Sequence, residues 1–128
     1  MIYLDTSVVL AELLAEDRRP APEIWNEPTV SSRLLEYETW VRIHARALTA
    51  SHGEPTRALL SRISFVELLP DVLARALEPF PVAVRTLDAL HLASIEFLRS
   101  RKVIARLATF DGRMLEAAAR LGIPVYPL

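Results

Sequence analysis

Residues 1–10 read MIYLDTSVVL. Ile2, Tyr3 and Leu4 form an apolar run of the length of a short buried strand, and the apolar pattern resumes at Val8 after Asp5, Thr6 and Ser7. A strand over residues 2–5 that turns at once into a helix over 7–16, capped by Thr6 or Ser7, accounts for this order. It leaves a carboxylate at the C-terminal end of a buried strand. Asp5 is then either an N-cap of the helix or one corner of a site, and local pattern alone keeps both readings open.

The rest of the chain repeats the same alternation. Residues 17–28, DRRPAPEIWNEP, hold three prolines and read as a connection with one helical turn near Ile24 and Trp25. TVSS (29–32) is a short strand ending in a cap signal. A long helix is expected over 33–50, with Leu34, Tyr37, Val41, Ala45 and Leu48 recurring at three- and four-residue steps. SHGEP should break it before a helix over 56–63. A strand over 64–70, a helix over 71–80 and a strongly apolar helix over 86–99 follow. The last elements are a strand over 103–110, a helix over 111–122 with Gly122 as its C-cap, and a terminal edge strand in IPVYPL. Strands alternating with helices predict an α/β fold, a three-layer α/β/α sandwich with a mainly parallel sheet of four to five strands.

Length and composition set limits on function. The chain has 128 residues, of which 52% are hydrophobic, so a single domain spanning 1–128 with a two-sided core is expected. There is no cysteine, which excludes disulfides, thiolate metal sites and a cysteine nucleophile. No apolar run reaches the length of a membrane span, and the N-terminus lacks the pattern of a signal peptide, so a cytoplasmic protein is expected. The net charge is −1, and any nucleic-acid contact must rest on a local patch. Among the basic residues only Lys102 is lysine, and the rest are arginine.

Ligand sites in parallel sheets lie at the C-terminal ends of the strands. Asp5 falls there, and Asp111 follows the strand over 103–110. Glu38 lies in the first two turns of the helix after TVSS, and Asp88 in the first turn of the most apolar helix. All four can face one rim of the sheet. Each has a simpler reading as a cap, a macrodipole partner or a solvated residue. Asp88, flanked by Leu87, Ala89 and Leu90, is costly to bury without a cation. No Lys or Arg stands four residues away, and Arg85 precedes the helix. Hard oxygen donors converging in a cleft suit Mg²⁺ or Mn²⁺.

LDTSVVL (4–10), VSSRLLEYE (30–38), LDALHLAS (87–94) and ATFDGRMLEAAARLGIPV (108–125) resemble, in order and spacing, the motifs of PIN-domain ribonucleases, and most of all the VapC-type toxins of VapBC toxin–antitoxin pairs. The resemblance implies Mg²⁺- or Mn²⁺-dependent cleavage of RNA phosphodiesters, with Asp5, Glu38, Asp88 and Asp111 as the catalytic and metal-holding acids. Glu36, one helical step from Glu38, competes for the second place. Thr6 and Ser7 would orient Asp5 or a metal-bound water, Thr109 stands in the same supporting position relative to Asp111, and Arg113 would touch substrate phosphate or else be a solvated helix residue. His91 is read as a packed core histidine.

The resemblance further implies an RNA substrate of the tRNA or rRNA class, a VapB-type antitoxin as partner, and a homodimer. The groove beside helices 7–16 and 33–50 is the expected antitoxin surface, with Trp25 and Trp40 either anchors or core residues. The alternative is a non-catalytic PIN-like module that binds RNA or protein. A phosphatase of the type with two aspartates in the first motif is disfavoured, because Ser7 stands where the second would be.

Overall fold

The computed structural model describes residues 1–128. The sheet has four parallel strands, β1 (Ile2–Leu4), β2 (Thr29–Ser32), β3 (Ile63–Val66) and β4 (Arg106–Ala108), in the order β3-β2-β1-β4. The helices are α1 (Thr6–Leu13), α2 (Arg33–Ala45), α3 (Thr49–Leu60), α4 (Pro70–Ala76), α5 (Thr86–Ser100) and α6 (Gly112–Leu121), with a 3₁₀ turn at Pro22–Asn26.

Strand alternation divides the core in two. Ile2, Leu4, Ile63 and Ala108 point to one face, where they meet Val8 and Val9 of α1, Leu35 of α2 and Leu59 and Leu60 of α3. Tyr3, Val30, Val66 and Leu107 point to the other, where they meet Val72 of α4, Leu92 and Ile95 of α5 and Met114 of α6. Three helices therefore cover each face, giving a three-layer α/β/α sandwich. Burial on both faces is why β1 reads as a continuous apolar run, with all three residues fully buried.

Strand order positions the site. The chain runs outward from β1 to β2 and β3, then crosses to the far side of β1 to form β4. The reversal falls between β1 and β4, and such a switch point opens a crevice at the strands' C-terminal ends.

Several elements depart from expectation. Strand 103–110 shortens to Arg106–Ala108, and strand 64–70 becomes Ile63–Val66, with α4 starting already at Pro70. The terminal segment forms only a parallel bridge of Val125 with Leu107, held by Leu107 N–H to Pro124 O and Tyr126 N–H to Leu107 O, both 2.8 Å.

The expected helix 33–50 is two helices, and SHGEP lies inside the second. Pro55 cannot donate to the Ser51 carbonyl, but Ser51 is exposed, where water can serve it. The buried face of α2 also differs. Tyr37 and Val41 are exposed, while Leu34, Leu35, Thr39 and Ile43 are buried. Thr39 can occupy the core because its hydroxyl donates to Leu35 O at 2.7 Å.

Helix ends explain the misplaced boundary. Gly122 closes α6 at φ +66°, with Ile123 N–H donating to Ala118 O and Gly122 N–H to Ala119 O, a Schellman arrangement. Ala15, Ala47 and Lys102 take the same left-handed conformation after α1, α2 and α5 without being glycine. At α2, Ala47 N–H donates to His44 O and Leu48 N–H to Ile43 O. A left-handed non-glycine costs about 1–2 kcal/mol, and glycine returns roughly 0.5–1 of that as lost chain entropy. Ala47→Gly should therefore raise unfolding stability by up to about 1 kcal/mol, read as a higher urea midpoint at unchanged slope.

Candidate active site

The seam between β1 and β4 is tied at its C-terminal end by Asp5. Its backbone N–H donates to Ala108 O at 3.0 Å. Its carboxylate makes no capping bond to α1. Oδ2 instead accepts from Ser7 Oγ at 2.6 Å and Thr109 Oγ1 at 2.8 Å, and no protein donor reaches Oδ1. The hydroxyls are themselves acceptors, Ser7 Oγ from Phe110 N–H at 3.1 Å and Thr109 Oγ1 from Asp111 N–H at 3.0 Å. These four bonds join the loop after β1 to the loop after β4. Asp5 is almost wholly buried, and the two hydroxyl donors offset the cost of removing its carboxylate from water.

Glu38 reaches the same rim from the second turn of α2. Its Oε1 accepts from Thr6 Oγ1 and from His91 Nε2, each at 2.8 Å. Thr6 therefore steadies Glu38 and not Asp5, contrary to the role expected for it. His91, on α5, is almost completely buried. Its Nδ1 lies 2.9 Å from Tyr3 Oη, which accepts the Ser32 N–H at 3.1 Å. A carboxylate only accepts, so Nε2 carries a proton. Tyr3 then donates its hydroxyl proton to Nδ1. The core histidine is thus a bridge from the floor of the sheet to Glu38. Burial pushes the Tyr3 hydroxyl far above the usual phenol range, so it remains a donor.

Asp88 and Asp111 share one guanidinium. Arg85 Nε donates to Asp88 Oδ2 at 3.2 Å and Nη2 donates to Asp111 Oδ2 at 2.7 Å. The second oxygen of Asp111 accepts the Arg113 N–H at 2.8 Å and caps α6. Burial raises the Asp88 carboxyl above its ordinary range, against the pull of Arg85, and the Asp111 and Asp5 carboxylates push it further. The expectation that no basic residue neutralises Asp88 is corrected here. Arg85, three residues before it in the N-cap position of α5, reaches back across the first turn.

Asp5, Glu38, Asp88 and Asp111 line one open cleft of about 630 Å³, with Thr6 and Ser7 on its floor. Glu36 does not line it and pairs with Arg33 at 3.3 Å. Arg113, expected near substrate, is exposed and lies outside the cleft. The lining arginines are Arg18, Arg42 and Arg85. Arg42 was legible as the residue one helical turn beyond Glu38, and Arg85 as the residue three before Asp88. Nothing in the proline-rich connection marks Arg18. The donor set, four carboxylates and several hydroxyls without sulfur, has the chemistry of a hard divalent cation site. The acids share the cleft without being drawn into a closed ligand cluster.

Fold and cleft together define a parallel α/β protein with an acidic pocket at the switch point of its sheet. The PIN domain family model matches residues 2–120. Ribonuclease VapC46 of Mycobacterium tuberculosis is 32% identical over 127 residues, covering 97% of this chain and 95% of that protein. Ribonuclease VapC35 of the same species is 32% identical over 133 residues, covering 98% and 95%. Among solved structures, a toxin–antitoxin complex from Klebsiella pneumoniae superposes with a TM-score of 0.72 at 20% identity, over 100% of this chain and 98% of that one. Mycobacterium tuberculosis VapC20, described as a sarcin–ricin loop cleaving toxin, superposes at 0.66 and 21% identity, over 91% and 95%. The chain belongs to the PIN-domain family, on its VapC branch.

Tyr3→Phe removes the donor to His91 and the acceptor of the buried Ser32 N–H. It should destabilise the protein by about 1–3 kcal/mol, measured by urea unfolding.

Proposed function

We propose that this chain is a Mg²⁺- or Mn²⁺-dependent endoribonuclease, the toxin of a type II toxin–antitoxin pair, and that it hydrolyses phosphodiesters in RNA of the tRNA or rRNA class. The observation that carries the reading is the meeting of four carboxylates, from the ends of β1 and β4, the second turn of α2 and the first turn of α5, in one arginine-walled cleft. The VapC relatives support the reaction, and the toxin–antitoxin neighbour supports a VapB-type antitoxin as partner. A homodimer and a cytoplasmic setting are part of the same reading. No helix is long and apolar enough to cross a membrane.

Asp5 and Asp88 would hold the metal, with Glu38 and Asp111 as further direct or water-mediated ligands. When bound, the cation orients a water, lowers its pKa and stabilises charge on the phosphate in the transition state. Ser7 and Thr109 fix the rotamer of Asp5 and leave Oδ1 without a protein donor. Thr6 and His91 do the same for Glu38, holding Oε1 and leaving Oε2 open. That open oxygen makes Glu38 the better candidate to take the water's proton, since Asp111 divides its oxygens between Arg85 and the Arg113 N–H. Arg18 and Arg42 offer phosphate contacts along the walls.

Asp5→Asn is near-isosteric and should fold, with its thermal midpoint kept. It should lose RNA cleavage by roughly 10²–10⁴-fold, and EDTA should do the same to the native protein until Mg²⁺ is restored. Glu38→Gln should be similarly impaired and Glu36→Gln close to native. An Asp5→Asn protein that cuts RNA at the native rate in Mg²⁺ sinks the reading.

A further inference from the structure

Arg85 is the one residue that donates to the carboxylates of two of the four acids. It stands at the end of the segment between α4 and α5, in extended conformation immediately before α5. Its side chain is 64% exposed, against 13% for Asp88 and 19% for Asp111. The guanidinium therefore reaches in from solvent to a pair of carboxylates that face the cleft. Both its carboxylate partners and its own charge are held by hydrogen bonds that water can replace at modest cost.

The oxygens it occupies are decisive. Asp111 Oδ1 is committed to the Arg113 N–H, so Oδ2 is the oxygen free for an outside partner, and Arg85 Nη2 holds it. Asp88 Oδ2 is held by Nε of the same group. Asp88 Oδ1 has no protein donor, but a divalent cation bridging Asp88 and Asp111 must take Asp111 Oδ2, and a guanidinium 2.7 Å from that oxygen and a cation on it repel one another. A guanidinium fork that fits two carboxylate oxygens also fits two oxygens of one phosphate.

We propose that Arg85 is a resident counter-cation which a divalent metal displaces from Asp88 and Asp111, and that the released guanidinium then binds a phosphate of the RNA. The inference rests on the ribonuclease reading above. Before metal binds, Arg85 lowers the mutual repulsion of the acids. After metal binds, the same side chain changes partner and moves its charge from the protein's acids to the substrate. Metal loading and RNA capture are coupled through one arginine.

The test measures metal and RNA separately. Mn²⁺ binding is titrated calorimetrically without RNA for the native protein, Arg85→Gln and Arg85→Lys, with thermal midpoints as a folding control. RNA cleavage is then measured at saturating Mn²⁺ over a salt series. Arg85→Gln should bind Mn²⁺ about 5-fold or more tightly, because its competitor is gone. Its KM for RNA should rise by about 10-fold or more, and the salt slope of log KM should fall by about 0.7, one phosphate contact on a single strand. Arg85→Lys should keep the salt slope and recover part of the KM, as a point charge without the fork. Unchanged or weaker Mn²⁺ binding by Arg85→Gln overturns the displacement, and an unchanged KM and salt slope overturn the handover. If the native protein binds Mn²⁺ and cuts RNA while Arg85→Gln matches it throughout, only Arg85's role falls. A native protein that does neither takes the ribonuclease reading down with it.

Discussion

The carboxylate of Asp5 is the constraint around which the site is built. It sits where strand order reverses, at the junction of β1 and β4. One of its oxygens receives the hydroxyl protons of Ser7 and Thr109, and those hydroxyl oxygens receive the N–H groups of Phe110 and Asp111. Ser7 belongs to α1 and Thr109 follows β4 directly, so this small network fixes both loops at the rim. It also sets the direction in which Asp111 leaves the sheet. Parallel strands have no hairpin to hold their ends in register. Here side chains at the strand ends supply that connection, and the acid that would be costly to bury is what they connect through.

The four acids are relieved in four different ways. Asp5 is satisfied by hydroxyls, Glu38 by a threonine and a buried histidine, Asp111 by a helix N-terminus and an arginine, and Asp88 by that arginine alone. Asp88 has the least support, and burial together with the Asp111 and Asp5 carboxylates raises its carboxyl above the ordinary range despite Arg85. Hydroxyl and imidazole donors are fixed by packing, since Thr6 and His91 are buried. The guanidinium of Arg85 is tethered only from the solvent side. The acids held by buried donors are thereby rigid, and those held by Arg85 are the ones free to change partner.

How legible this was differs by level. Strand and helix order was readable, because two-sided burial writes itself as apolar runs such as Ile2–Leu4, with turn residues between. Helix ends were not, because Ala15, Ala47 and Lys102 adopt the conformation that glycine normally signals, and the chain has only three glycines. The buried face of α2 was misread because Thr39 hides its hydroxyl on its own helix. The four acids could be proposed from their places after strands and within the first two turns of helices. The network between them could not, since Thr6 with Glu38 and Thr109 with Asp5 are pairs 32 and 104 residues apart in sequence. Arg85 escaped because helical spacing was counted from inside α5, while the side chain acts from just outside it.

The abundance of arginine has a largely structural explanation. Arg33 lies over Phe65, Arg57 over Trp40, Arg62 over Trp25 and Arg75 over Phe80, with ring-centroid distances of 4.1–5.7 Å. Trp25 and Trp40 are half-buried against the helix-side core and present these faces at its margin. Lysine would give weaker stacking at each place, because a planar guanidinium lies flat on a ring and an ammonium does not. Arginines spent in this way hold the surface together and contribute little directed charge. With a net charge of −1 there is no general attraction for a polyanion, so an affinity for a phosphate chain would have to arise inside the cleft, from Arg42, Arg85 and Arg18, which itself lies over Phe110, against Asp5, Glu16, Glu38, Asp88 and Asp111. That local balance is negative, and under the proposed function a divalent cation would neutralise it. On that reading the cation would bind before the polyanion, an order set by the electrostatics of the cleft itself.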